Sequence, residues 1–96
     1  MKKPVLVVTS HFIKPVEVRI ESEYEVRRKI DGAAFTRNEL LVATEGADAM
    51  LIRPSDKLDA EFFRRVSPSI KVISTYSVGL DHIDMQAAAE RNIAIG

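Results

Sequence analysis

The sequence predicts an α/β fold organised on a doubly wound, mostly parallel sheet. The continuous apolar, β-branched run at residues 5–8 suits a strand covered on both faces of a parallel sheet, and further strands are read at residues 47–52, 71–74 and 93–95. The segments between them carry helix punctuation, with capping residues at Thr36, Asp59 and Asp84. A chain of 96 residues has room for one modest core, so residues 1–96 are expected to form a single domain.

Each element has a local reason. Residues 5–8, Val-Leu-Val-Val, should form the first and central strand, with Thr9, Ser10 and His11 at its carboxyl end. Residues 15–23 admit two readings. Val16, Val18 and Ile20 alternate as in a strand, whereas Val16, Ile20 and Tyr24 repeat at helical spacing behind Pro15, which suits a first helical turn. The helix is the reading adopted. Residues 24–28 then alternate as a short edge strand before a turn at Asp31 and Gly32.

Thr36-Arg37-Asn38-Glu39 has capping-box spacing, and Gly46 stands where a left-handed residue would end that helix. After the strand over 47–52, Asp59 can cap the next helix, with Leu58 and Phe63 as a hydrophobic staple and Phe62, Phe63 and Val66 facing inward. Pro68 stops it. Asp84 caps a helix over residues 85–91, which Asn92 ends before the last strand at 93–95.

Composition removes several functions. Fourteen Lys and Arg balance fourteen Asp and Glu, and the one basic cluster, Arg27-Arg28-Lys29, is short and free of interleaved aromatics, so no nucleic-acid face is expected. The absence of cysteine excludes disulfides and thiolate metal sites. No apolar run approaches the roughly 18 residues of a membrane span. The apolar run behind the N-terminal Met-Lys-Lys-Pro is too short for a signal-peptide core, and a cytoplasmic protein is expected. The glycines, Gly32, Gly46, Gly79 and Gly96, contain no G-x-G-x-x-G or P-loop spacing, and there is no nucleophile elbow.

In a parallel sheet the loops after three strands would share one edge: Ser10 and His11, Arg53 to Ser55, and Thr75 to Leu80. Backbone N–H groups around Gly79 and the guanidinium of Arg53 suit a carboxylate or a phosphate. The plainer alternative is a turn at Gly79 and a solvated Arg53. Asp81 and Asp84 in Asp81-His82-Ile83-Asp84 are read as turn and cap residues rather than a metal or acid–base set, His11 as a loop residue, and Phe62 and Phe63 as core.

With these residues in place, the chain resembles the N-terminal part of the D-isomer-specific 2-hydroxyacid dehydrogenases, the family of glyoxylate/hydroxypyruvate reductase, phosphoglycerate dehydrogenase and formate dehydrogenase. The resemblance rests on Gly46-Ala47-Asp48-Ala49-Met50-Leu51, on Asp56-Lys57-Leu58-Asp59, and above all on Lys71-Val72-Ile73-Ser74-Thr75-Tyr76-Ser77-Val78-Gly79-Leu80-Asp81-His82-Ile83-Asp84. It implies a flavodoxin-like substrate-binding lobe in which the loop Ser77-Val78-Gly79 offers backbone amides to a substrate carboxylate. Members similar to phosphoglycerate dehydrogenase also use an arginine at the position of Arg53, followed by serine; here Pro54 intervenes before Ser55. Asn92 stands where the family usually has glycine.

The resemblance also implies what is not in these 96 residues: the Rossmann lobe that binds NAD or NADP, and the catalytic arginine, glutamate and histidine. It therefore implies a chain that binds no cofactor itself, carries no catalytic or metal-binding residue, and is inactive alone. The expected partners are a small 2-oxo or 2-hydroxy acid and a second copy of the chain, since removal of a partner lobe would leave apolar surface that favours self-association. A stand-alone flavodoxin-like binding module is the competing expectation. A phosphorylatable receiver domain would need an acidic cluster at the strand ends, where Thr9, Ser10 and Arg53 stand instead.

Overall fold

The computed structural model describes residues 3–29, 34–75 and 79–96. Strands and helices alternate as β1 (Val5–Val8), α1 (Lys14–Glu23), β2 (Glu25–Arg27), α2 (Arg37–Ala43), β3 (Ala49–Ile52), α3 (Ala60–Arg65), β4 (Val72–Thr75), α4 (Met85–Glu90) and β5 (Ala94–Ile95). The strands pair in the order β2-β1-β3-β4-β5, and every pairing is parallel. This is the flavodoxin-like order, with the crossovers placing helices on both faces of the sheet. The ambiguous stretch behind Pro15 is a helix, and β2 is an edge strand, as expected. The expected turn at Asp31 and Gly32 lies outside the described residues.

Register explains the apolar runs. Val7, Met50 and Ile73 align across β1, β3 and β4 and, with Ile52, meet Leu40, Leu41, Phe62, Phe63 and Ala88 from α2, α3 and α4. The alternate row, Leu6 and Val8, packs with Ile20 of α1 on the opposite face. A strand buried on both sides has no position left for a polar alternation. The expectation of β1 as the central strand needs correction: β1 is interior, but β3 stands in the middle of the five. A run of four apolar residues reports burial on two faces, which any interior strand shares.

Local capping fixes the helix starts. The Thr36 hydroxyl accepts from the Glu39 amide at 3.1 Å, and the Glu39 carboxylate accepts from the Thr36 amide at 2.9 Å, completing the capping box. Asp59 accepts from the Phe62 amide and Asp84 from the Ala87 amide. Gly46 and Asn92 both take positive φ, at 71° and 57°, just beyond α2 and α4. The Asn92 turn directs the Ile93 amide to the Ala88 carbonyl, so pairing with β4 begins at Ala94 rather than at residue 93. Thr36→Ala removes one half of the box and should lower stability by about 1 kcal/mol, read as a lower urea midpoint with an unchanged slope.

Helix ends are closed from a distance. Arg27 of β2 donates to the carbonyls of Ala43 and Glu45 where α2 stops. Arg91, just after α4, donates to the carbonyls of Phe63 and Val66 at the end of α3.

Candidate functional site

The carboxyl ends of β1, β3 and β4 are neighbours, so Thr9, Arg53 and Thr75 stand along one edge. Arg53 follows β3 directly, beside the end of β4, since Ile52 is in register with Thr75. Gly79 lies in the segment that leaves β4. Its φ is not in the left-handed region, and a Cβ added there would meet nothing within 4 Å. Neither conformation nor crowding therefore demands glycine at this position, and the lack of a side chain leaves the backbone approachable. The other two expected site residues, Ser77 and Val78, lie outside the described residues.

Arg53 is not a solvated strand-end residue. Its side chain is only 26% exposed, and Asp56 holds it from three residues on: Arg53 Nη2 donates to Asp56 Oδ1 at 3.3 Å, and the Arg53 backbone amide donates to Asp56 Oδ2 at 2.8 Å. The same Oδ2 accepts from the hydroxyl of buried Thr9 at 2.5 Å. One carboxylate thus ties the end of β1 to the loop after β3 and immobilises the guanidinium between them. Arg53 Nε is buried with no hydrogen-bond partner. A buried N–H of this kind costs about 1–3 kcal/mol when left unsatisfied. The expected anion fork is accordingly altered, because Nη2 is already engaged by Asp56.

A second cluster stands where β1 and β2 end. Glu17 near the start of α1 accepts from Arg28 at 2.9 and 2.7 Å and from the Phe12 amide at 2.8 Å. The Arg28 hydrogen bonds chiefly hold its carboxyl down at about 2, from an ordinary value of 4.5. Arg28 Nη1 also lies 3.0 Å from His11 Nδ1, so the imidazole receives the guanidinium N–H through that nitrogen. His11 is thereby a member of an ion-pair cluster, a role that no neighbour in sequence announced. Around the β4 end, Thr75 Oγ1 is 3.2 Å from His82 Nε2, and Asp84 caps α4 as expected.

The sequence reading missed Asp56 as the holder of Arg53, and Glu17 and Arg28 as neighbours of His11. The i,i+3 separation of Arg53 and Asp56 around Pro54 was the available signal for the first. The second depends on α1 folding back over β1, which no local spacing encodes. Among the described residues no group of three His, Cys, Asp or Glu could hold a metal, and no helix is long and apolar enough to cross a membrane. The first β–α turn, Thr9-Ser10-His11-Phe12-Ile13, contains no glycine and so lacks the glycine cradle of a dinucleotide-binding turn.

Residues 5–96 match the family described as D-isomer specific 2-hydroxyacid dehydrogenase, catalytic domain. The chain is 33% identical over 96 residues to a glycerate dehydrogenase of Hyphomicrobium methylovorum, covering all of this chain and 30% of that protein. Over 60 residues it is 48% identical to a glyoxylate reductase of Thermofilum pendens, covering 62% of this chain and 17% of that one. In fold it is similar to the crystal structure of a D-isomer specific 2-hydroxyacid dehydrogenase from a Polaromonas species, with a TM-score of 0.86 at 24% identity, over 99% of this chain and 30% of that one. It thus spans less than a third of the length of these relatives. With 92 of its residues inside the matched region, counted from 5 to 96, the chain belongs to the D-isomer specific 2-hydroxyacid dehydrogenase family.

Proposed function

We propose that this chain is the N-terminal substrate-binding lobe, a single domain over residues 1–96, of an NAD(P)-dependent oxidoreductase that interconverts small 2-oxo acids and D-2-hydroxy acids such as glyoxylate and hydroxypyruvate. The observation that carries the reading is the placement of Arg53 and Gly79 after adjacent parallel strands, on the edge where open α/β sheets receive ligands. Backbone amides of Ser77, Val78 and Gly79 hold the substrate carboxylate, and Arg53 supplies the opposing charge. Fixing the carboxylate on a rigid strand end orients the neighbouring carbonyl carbon, which is the contribution this lobe makes to rate. Hydride and proton transfer belong to groups that this chain does not carry, and it binds neither NAD nor NADP.

An NADH oxidation assay with glyoxylate and hydroxypyruvate tests this directly. The 96-residue polypeptide should show no turnover above the uncatalysed background, and measurable turnover would overturn the assignment of the chemistry to other groups.

Self-association as a homodimer belongs to the same proposal. On the face opposite α2, α3 and α4, exposed Val72 and Ala94 lie side by side in register on β4 and β5. Sedimentation velocity should show a dimer, and a strict monomer at high micromolar concentration would refute it.

A further inference from the structure

We infer that Asp56 is a specificity-determining residue, which by engaging Arg53 tunes the strand-end cleft to acids with a single anionic group and against acids carrying a second one such as a phosphate ester. This rests on the carboxylate-binding reading above. Asp56 takes up Nη2 of Arg53 and its backbone amide, and Thr9 pins the carboxylate in place at 2.5 Å. With the side chains of Arg53 and Asp56 only 26% and 14% exposed, solvent screens this negative charge poorly. An anion approaching Arg53 therefore meets a cation and an anion together. One carboxylate can still be held through the remaining guanidinium N–H groups, but each added negative charge on the ligand increases the repulsion from Asp56.

Two of the other cations along this edge are already paired. Arg28 is engaged by both oxygens of Glu17, and Lys29 by both oxygens of Glu39 at 3.0 and 3.2 Å. Lys57 lines a shallow depression that also carries Asp59, Asp81 and Asp84. A phosphate-bearing ligand that draws on Arg28 or Lys29 needs that cation released from an existing ion pair. Charge complementarity of this kind discriminates between ligands more strongly than it raises affinity for either.

The experiment is a ¹⁵N NMR titration of the 96-residue chain, following the Gly79 amide and the Arg53 Nε–H, with glycolate and with D-3-phosphoglycerate as probes. In the wild type, glycolate should shift both signals, and D-3-phosphoglycerate should bind at least about tenfold more weakly. Asp56→Asn keeps an oxygen for Thr9 and the Arg53 amide but removes the charge, and should bring the two affinities within about twofold of each other. Asp56→Ser serves the same purpose if the amide variant does not fold. Thr9→Val leaves the charge in place and should preserve the wild-type preference.

If glycolate leaves both signals unmoved in the wild type, the carboxylate-binding reading itself fails and takes this inference with it. If glycolate binds but the wild type accepts D-3-phosphoglycerate equally well, the role of Asp56 fails while the site stands. That role fails likewise if the preference survives removal of the Asp56 charge, or is lost equally in Thr9→Val.

Discussion

Phe62→Ala should lower the stability of the protein by about 3–5 kcal/mol and its Tm by roughly 15–30 °C, as read by calorimetry or circular dichroism. Phe62 is fully buried and meets Phe63 edge-to-face, with ring centroids 5.4 Å apart and planes at 88°. Both rings sit in the cluster that joins α3 to Met50, Ile52 and Ile73 of the sheet. The substitution removes the ring from water exclusion, leaves a cavity that the surrounding strands cannot collapse into, and deletes the aromatic pair. A domain of this size holds only about 5–15 kcal/mol in reserve, so a substantial unfolded fraction at 37 °C is expected. Phe62→Leu keeps most of the volume and should recover more than half of the loss. A Tm within 5 °C of wild type for Phe62→Ala would contradict the packing described.

Acid should remove a defined share of stability through Glu17. Its carboxyl is held at about 2 in the folded protein, chiefly by hydrogen bonds from Arg28, with the Phe12 amide and His11 acting in the same direction and burial opposing them. A depressed folded value means that the unfolded chain takes up the proton first. The stabilisation is therefore fully present above about 4.5 and is lost as pH falls toward 2. Discounted for solvent around the pair, it amounts to about 1–2 kcal/mol. Glu17→Gln should lower stability by that amount at pH 7 and converge on wild type near pH 2, measured as urea midpoints across the range. Glu39 and Asp59 are also lowered, the first chiefly by the Thr36 amide and the second by Arg37, so the wild-type acid limb is broader than Glu17 alone. The difference between wild type and Glu17→Gln isolates the one carboxylate. Parallel curves without convergence would show that Glu17 acts by packing.

Features that could be read from the sequence are those whose cause is local. Thr36 and Glu39, Asp59 and Phe62, and Asp84 and Ala87 are each three residues apart, and a cap needs nothing else. Gly46 and Asn92 were legible because few other residues tolerate positive φ. The centre of the sheet was not legible, since β1 and β3 are both apolar runs of four whose neighbours are decided by crossovers. At the site, the strand ends bearing Arg53 and Gly79 followed from the parallel topology. The bond from Thr9 to Asp56 crosses 47 residues and the pair Glu17–Arg28 crosses 11, so their geometry exists only after β1 has paired with β2 and β3. The engagement of Arg53 by Asp56 shows the intermediate case: the spacing was visible, but the turn around Pro54 that closes it was not.

The two arginines that close the helix ends bear on how the chain unfolds. At seven and six residues, α2 and α3 are too short to persist alone in water. The carbonyls of Ala43 and Glu45 at the end of α2 accept from Arg27 of β2, and those of Phe63 and Val66 at the end of α3 accept from Arg91, just after α4. Neither helix can fray from its C-terminus without stranding a guanidinium contributed by another part of the sheet or by the helix beside it. Amides of α2 and α3 should therefore exchange with solvent through the same opening that releases β2 and α4, making this small sandwich one cooperative exchange unit rather than a frame with loose helices.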